Sequence, residues 1–477
     1  MSSTAVECDP RPVASRSASQ DLYRLLILRK NGSELLVASN RPPFTLPCVE
    51  IPRWERVAEQ LNEAVRNRYG ISAICLFVPE SWDTTTTKRP LYQVMETRAS
   101  ASTVPDEMDW LALESISVRS FADEQDLLTV KAVLRKIDGF QIQATIEPFG
   151  RPGWIGELVS WVQSEIDPHE LRLTGPVRQL NASPTYALLR LETNESAVWF
   201  KAVGEPNLRE FPISVALSRL FPGFVPTVVA TRPSWHGWLA MEFGGSTLDE
   251  VPDARAWDQA ARTLARLQIA SLRTTDQFLA DGCHDLRTDS LLASVDPFVD
   301  VMSQLMEEQK NSPPVILRKS ELLTLGEQLT EALSDLANLN IPDTLGHLDF
   351  NPGNIICSAD QCVFVDWAET CVGSPFLTLQ YLREHLERLQ RKDTSLNANL
   401  VEAYETEWHK LLSPEIVSAA MSLAPVLAVF AYAVGATVWR NATILNEPTT
   451  AVYLRSLTRR MHLEAIRLRE RRHTCSS

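Results

Sequence analysis

The change from one hydrophobic periodicity to another near residue 248 constrains the fold of this chain more than any other feature. Between Val177 and Gly245 the apolar residues come in short runs, "VRQLNASPTYALLRLET", "AVWFKAVG", "TVVATR" and "GWLAMEFGG". Their length and spacing predict strands separated by turns. Beyond Leu248 the strand signal almost vanishes. Apolar positions recur at helical spacing in "ARAWDQAARTLARLQIAS", "KSELLTLGEQLTEALSDLANL" and "FLTLQYLREHLERLQR". The main interruption is "LGHLDFNPGNIICSADQCVFVDW", residues 345–367, which reads as a polar hairpin. A strand-rich lobe followed by a helical lobe predicts a cleft between the two, a common place for a ligand.

The chain has more residues than this design needs. At 477 residues it exceeds one ordinary core, so further domains are expected. Residues 1–20 read as a disordered lead-in. From Tyr23, "YRLLILRKN" and "SELLVASN" form two strands about the turn Asn31-Gly32. Within "RWERVAEQLNEAVRNRYG", Val57, Leu61, Val65 and Tyr69 fall at helical spacing and Gly70 supplies the stop. Strands "ISAICLFVP" and "PLYQVMETRA" follow, then a closing helix "DEQDLLTVKAVLRKID". Residues 21–138 are therefore expected to be an extra N-terminal α+β domain. The segment "EPFGRPGW" separates it from an N-lobe at 150–245 and a helical C-lobe at 246–477.

Charge and cysteine usage narrow the partners. A formal net charge of -14 provides no basic face for a phosphate backbone, so no nucleic-acid partner is expected. The uncharged stretch "IVSAAMSLAPVLAVFAYAVGATVW" is long enough to span a membrane. Its alanine content, Pro425, Gly435 and charged amphipathic flanks make it instead a buried core helix, or two broken at the proline, with no membrane partner. The basic tail "RRMHLEAIRLRERRH" reads as a solvated helix face. Eight cysteines are scattered without a dense framework. Cys357 and Cys362 flank the turn "SADQ" and could face each other across the hairpin, but no second pair exists to complete a zinc site. Reduced, structural or incidental thiols are expected, which suits a cytoplasmic protein.

The hairpin carries the chemistry. His347 and Asp349 form H-x-D, Asn354 follows the aspartate by five positions, and Asp366 lies twelve further on, after the apolar strand "CVFV". A turn of this kind presents Asp349 to a substrate hydroxyl, while the oxygens of Asn354 and Asp366 meet at a hard divalent cation. Phosphoryl transfer asks for these parts: a carboxylate for the hydroxyl proton, oxygen ligands for magnesium, and a lysine on the nucleotide phosphates. Ordinary turn hydrogen bonding would explain Pro352-Gly353 but leaves Asp366 without a reason.

"HLDFNPGNI" with "VFVDW" resembles the motifs of the aminoglycoside phosphotransferase and choline kinase-like group, usually H-G-D-x-H-x-G-N followed by I-D-W. The resemblance runs from residue 150 to about 440, through "RPGW", "FKAV", "FPGFVP" and "GWLAMEFGG". It implies an α+β, two-lobed protein kinase-like fold using ATP and Mg2+. It also implies Asp349 as catalytic base, Asn354 and Asp366 as metal ligands, and His347 as a brace for the loop. Lys201 in "VWFKAV" would contact the phosphates, Glu210 would fix that lysine, and the backbone of Glu242 and Phe243 would meet the adenine.

Some positions depart from the pattern. Leu348 stands where the group has glycine, Asn351 where it has a second histidine, and Thr378 where it usually has an acid. The turn near "LNASPT", expected to cover the phosphates, has no glycine. More faintly, "EAVRNRYGI" resembles the end of a Nudix signature. The two metal-binding glutamates are replaced by Asn67 and Arg68, and the preceding Arg-Glu by Glu63-Ala64, so pyrophosphohydrolase activity is expected to be absent. The expected function is an ATP- and Mg2+-dependent phosphotransferase acting on a hydroxyl of a small molecule. The alternative is a nucleotide-binding pseudokinase serving as an interaction module.

Overall fold

The structure is a computed structural model that describes residues 20–39, 41–53, 56–79, 91–97, 104–116, 121–143, 147–251, 253–389 and 394–476. Two compact units divide the chain: Met1–Pro206 with Val229–Met241, and Asn207–Val228 with Glu242–Ser477.

The first unit begins with a six-stranded sheet. Its strands are β1 (Gln20–Arg29), β2 (Glu34–Val37), β3 (Cys48–Pro52), β4 (Ala73–Phe77), β5 (Leu91–Thr97) and β6 (Asp109–Ala112), with helices α1 (Val57–Tyr69) and α2 (Glu124–Gln143). The order is β4-β5-β1-β2-β6, with β3 also paired to β1. β1 runs parallel to β5 and antiparallel to β2 and β3. Because side chains alternate along a strand, β1 serves two cores. Leu25 and Ile27 join Leu61 and Val65 of α1, whereas Leu26 and Leu28 join Leu127, Val130 and Val133 of α2. Helix α1 ends as the sequence predicts, with Gly70 in the left-handed region and its N–H donating to the Arg66 carbonyl.

The same unit continues with α3 (Trp154–Ile166) and strands β7 (Leu173–Ala182), β8 (Ala187–Thr193), β9 (Val198–Ala202), β10 (Val228–Arg232) and β11 (Gly237–Met241). These strands form a sheet in the order β10-β11-β9-β8-β7. Trp154, Leu158, Val162 and Ile166 fall on one face of α3 and enter one core with Leu189, Leu191, Val198 and Phe200. That core also contains Leu26 and Leu28 of β1 and Val130 of α2, so the two sheets share it. Gln179, 1% exposed, caps the edge of β4. Its Nε2 donates to the Cys75 carbonyl at 3.0 Å, and its Oε1 accepts from the Cys75 N–H at 2.8 Å and from Asn62 Nδ2 at 3.3 Å.

The second unit is mainly helical. It holds α4 (Glu210–Leu220), α5 (Arg255–Ser271), α6 (Thr275–Ala280), α7 (Thr288–Glu307), α8 (Lys319–Asn338), α9 (Pro375–Leu389), α10 (Thr394–Trp408), α11 (Pro414–Gly435), α12 (Ala442–Leu445) and α13 (Pro448–Ser476). The unit also holds six short strands, one just before Leu248 and five beyond it: β12 (Ser246–Thr247), β13 (His284–Leu286), β14 (Thr344–His347), β15 (Ile355–Cys357), β16 (Cys362–Phe364) and β17 (Thr370–Gly373). They form two three-stranded sheets, β12-β15-β16 and β13-β17-β14. β15 and β16 are the two arms of the hairpin read from the sequence, whereas β12, β13 and β17, at two to four residues, are too short to show a period of two.

The apolar stretch near the C-terminal end forms one helix, α11, which continues through Pro425. By length and composition it could cross a membrane, yet 61% of its most apolar window is buried, and Val417, Leu423, Leu427, Phe430 and Ala431 lie in the core of the unit. One expectation is corrected: Cys357 and Cys362 are joined in a disulfide, their Cα atoms 4.2 Å apart, where reduced thiols were expected. The cause is register, since β15 and β16 set the two residues directly opposite each other.

Candidate active site

The loop from β14 to β16 is built around Asp349. β14 is wholly buried and ends at His347, 1% exposed, while Asp349 two residues on is exposed. The aspartate is held by its neighbours. Asn351 Nδ2 donates to Asp349 Oδ1 at 2.9 Å, and Asn354 Nδ2 donates to Oδ2 at 3.2 Å and to the Asp349 carbonyl at 2.9 Å. Asn351 Oδ1 in turn accepts the Gly353 N–H at 2.9 Å and caps the short turn Pro352–Asn354. The turn is fixed from outside as well, because the Leu248 N–H donates to the carbonyls of Pro352 and Ile355.

His347 braces this loop from below. Its Nδ1 accepts the Asp349 N–H at 3.2 Å and its Nε2 lies 3.3 Å from the Val365 carbonyl. This pairing assigns the proton to Nε2, which donates to that carbonyl. The ring packs between Trp367 and Phe350, with centroids 5.0 and 5.8 Å away. Burial holds its pKa below the ordinary histidine value, against the opposing pull of the Asp349 and Asp366 charges. The imidazole is therefore a neutral spacer that connects the backbone at Asp349 with the residue before Asp366.

Asp366 leaves β16 with φ of 64°, in the left-handed region, and is exposed. For a residue other than glycine this conformation costs about 1–2 kcal/mol. Surrounding bonds hold it: Trp367 Nε1 donates to the Phe364 carbonyl at 3.1 Å, and the Val365 N–H donates to the Asn354 carbonyl at 3.0 Å. The latter bond ties together the backbones that carry Asn354 and Asp366. The two side chains offer an amide oxygen and a carboxylate at solvent-accessible positions, a donor set that suits a hard cation. Among the described residues no group of three or more His, Cys, Asp or Glu side chains is placed to hold a metal. A magnesium ion does not need such a group where substrate phosphates and water complete its shell.

The remaining residues singled out from sequence are distributed as follows. Lys201 is half-buried on β9, opposite Leu188 and Trp238 in register, with Nζ 5.8 Å from the Trp238 ring centroid. It belongs to the strand-rich unit. Glu210, 2% exposed, opens α4, and the half-buried Glu242 and Phe243 follow β11; all three belong to the helical unit. The structure thus brings His347, Asp349, Asn354 and Asp366 together on one loop system.

Two residues at departures from the family pattern also have tasks. Asn351 holds the Asp349 carboxylate, as described above. An Asx turn in "NPGN" was the available signal for it. Thr378, 1% exposed, accepts the His347 N–H on its hydroxyl at 3.1 Å. No local signal in the sequence could have located that partner 31 residues away. His385 of α9, Tyr432 of α11 and Tyr453 of α13 also lie within electrostatic reach of Asp349. Burial lowers the pKa of His385 and raises those of both tyrosines, so all three are neutral near pH 7.

Comparison with known proteins bears on this geometry. Residues 207–412 match the model of the phosphotransferase enzyme family, APH. That segment contains the whole loop from His347 to Asp366, and the chain has the α+β composition expected from sequence, a strand-rich first unit and a mainly helical second one. No curated protein matches the chain. Among solved structures, an ethanolamine kinase of Plasmodium vivax is 11% identical, with 63% of this chain and 84% of that one covered at a TM-score of 0.44. A choline kinase of Streptococcus pneumoniae is 14% identical, covering 64% and 99% at 0.42. A macrolide 2'-phosphotransferase of Brachybacterium faecium is 15% identical, covering 61% and 99% at 0.38.

Proposed function

We propose that this chain is an ATP- and Mg2+-dependent phosphotransferase that acts on a hydroxyl of a small molecule. The observation that carries the reading is the Asp349 carboxylate, exposed and oriented by two amides on a loop whose exit presents Asn354 and Asp366. Asp349 orients the acceptor hydroxyl and takes its proton as the oxygen attacks the γ-phosphorus of ATP, whose bond to the β–γ bridging oxygen breaks to release ADP. Asn354 and Asp366 hold Mg2+, which supplies charge neutralisation at the phosphates when bound. Lys201 contacts the phosphates with Glu210 as its acidic partner, and the backbone at Glu242 and Phe243 receives the adenine. The acceptor is one that reaches the helical unit at Asp349, and the N-terminal α+β segment, read as a degenerate Nudix-like module, serves as scaffold.

The test is a metabolite-extract screen by mass spectrometry with ATP and Mg2+. A phosphorylated product should form with wild type and not with Asp349→Asn, with a rate loss of about 100-fold or more. Magnesium-dependent ATP binding should survive Asp349→Asn and be lost in Asp366→Ala. Full turnover by Asp349→Asn would remove the base from the mechanism. Metal-dependent nucleotide binding without a product from any acceptor would favour the pseudokinase reading.

A further inference from the structure

The disulfide lies where the parts of the proposed site meet. Cys357 ends β15, three residues after Asn354, and Cys362 opens β16, four residues before Asp366. The strands are only three residues each, so the pair Cys357–Cys362 constitutes one of the three register positions that hold the hairpin together. On its other side Cys357 pairs with Ser246 of β12. The preceding residue, Gly245, presses against it so closely that a Cβ would lie 2.4 Å from the Cys357 carbonyl oxygen. One covalent link therefore secures the strand leading from Asn354, the strand leading to Asp366 and, through β12, the segment that follows Glu242 and Phe243.

A reductant reaches the link only when the turn over it opens. Both cysteines are buried, at 4% and 0% exposure, but the turn between them, Ala359 to Gln361, is exposed. Opening that turn uncovers both sulfurs. A disulfide enclosing four residues restricts the unfolded chain far less than one closing a long loop, so its contribution is mainly local. The hairpin depends on it locally because so few backbone pairs remain without it.

We infer that Cys357 and Cys362 form a reversible dithiol–disulfide site whose reduction loosens the hairpin and weakens the hold on Mg2+ and nucleotide. The partner class is a low-molecular-weight thiol and its disulfide. In the balanced exchange, two thiols reduce the pair, the protein gains two S–H groups, and one small-molecule disulfide leaves; the reverse reaction restores the bond. The effect on nucleotide rests on the phosphotransferase reading, whereas the effect on the hairpin does not.

The experiment uses the full chain isolated without reductant, treated with oxidised or reduced glutathione and compared with Cys357→Ser/Cys362→Ser. Alkylation with mass spectrometry should show both cysteines protected in the oxidised sample and both labelled after reduction. Hydrogen exchange across residues 350–369 should accelerate on reduction of wild type and should not respond in the double variant. Magnesium-dependent ATP affinity should fall by roughly threefold to tenfold on reduction, to the level of the double variant. Unchanged exchange in that segment overturns the inference, as does a pair that stays alkylatable after oxidised glutathione. If exchange responds but neither state binds ATP, the redox site stands and the phosphotransferase reading falls.

Discussion

Asn351 stands where the resembled group has a histidine, and it donates one hydrogen bond to a charged oxygen of Asp349. Such a bond contributes about 1.5–3 kcal/mol. Asn351→Ala should therefore slow turnover by about 10- to 150-fold while ATP affinity changes less than about twofold, because no proposed metal or nucleotide contact is removed. Asn351→Asp should be slower still, since it replaces the donor with a second carboxylate beside Asp349. Steady-state kinetics with ATP titrations separate the two quantities. An equal loss in both would instead mean collapse of the loop. A second residue prediction concerns Asp343, just before β14. Its half-buried carboxyl is pushed up to about 6, chiefly by burial and further by Asp285 and Asp289, against Arg287. The native state thus binds the proton more tightly than the unfolded chain. The resulting stability is present below about pH 4 and is lost as pH rises from there through about 6. The full difference from the ordinary 3.8 is worth about 3 kcal/mol, which solvent at a half-buried site reduces to roughly 1–2. Asp343→Asn should raise the melting temperature at pH 7 and have little effect at pH 3.5. Stabilisation equal at both pH values would exclude the ionised carboxylate as its cause.

At the scale of elements, α11 answers a departure in the Asp349 loop. Leu348 occupies the position where the resembled motif has glycine, and it is 4% exposed. Gly435, the last residue of α11, makes room for it: a Cβ there would lie 2.4 Å from Leu348 Cδ1. Gly435→Ala gains up to about 1 kcal/mol of helix propensity but forces Leu348 to move, at a cost of about 1–3 kcal/mol. The variant should be less stable, and Leu348→Ala in the same chain should restore part of the loss. Denaturant unfolding of the two single variants and the double should give a coupling of about 1 kcal/mol or more. Additive effects would show that the helix and the loop do not share this space. The pair also shows what the sequence can disclose. H-x-D, the asparagine five residues on and the later aspartate are legible because one short loop carries them all. Leu348 and Thr378 looked like defects in that pattern. Their compensation comes from Gly435 and from the His347 backbone, across contacts that only the folded chain creates. Outside the hairpin, the short strands β12, β13 and β17 were hidden for a different reason, being below the length at which alternation can be recognised.

The whole chain raises the question of how separate its N-terminal segment is. Residues 21–138 read as a domain with its own strands and helices, and each of the helices predicted there is present. In the fold, however, the face of β1 that carries Leu26 and Leu28 belongs to the same core as Trp154, Leu189 and Phe200. Gln179 of β7 meanwhile supplies the hydrogen bonds that the edge of β4 would otherwise leave open. Periodicity shows that a strand face is apolar, but not which distant segment covers it, and this is why the shared core was not legible. Two experiments measure the dependence. Gln179→Ala leaves the Cys75 N–H and carbonyl unpaired in a buried setting, at a cost of about 2–4 kcal/mol. Unfolding followed separately by hydrogen exchange in β4 and in β9 should show both protected regions weakened together. A chain beginning at residue 147 should expose the apolar surface that α2 and β1 cover, and it should aggregate or melt well below the full protein. A truncated chain that remained monomeric with an unchanged melting temperature would show that the strand-rich lobe completes its core alone. In that case the N-terminal segment would be an appended module and not part of the lobe's foundation.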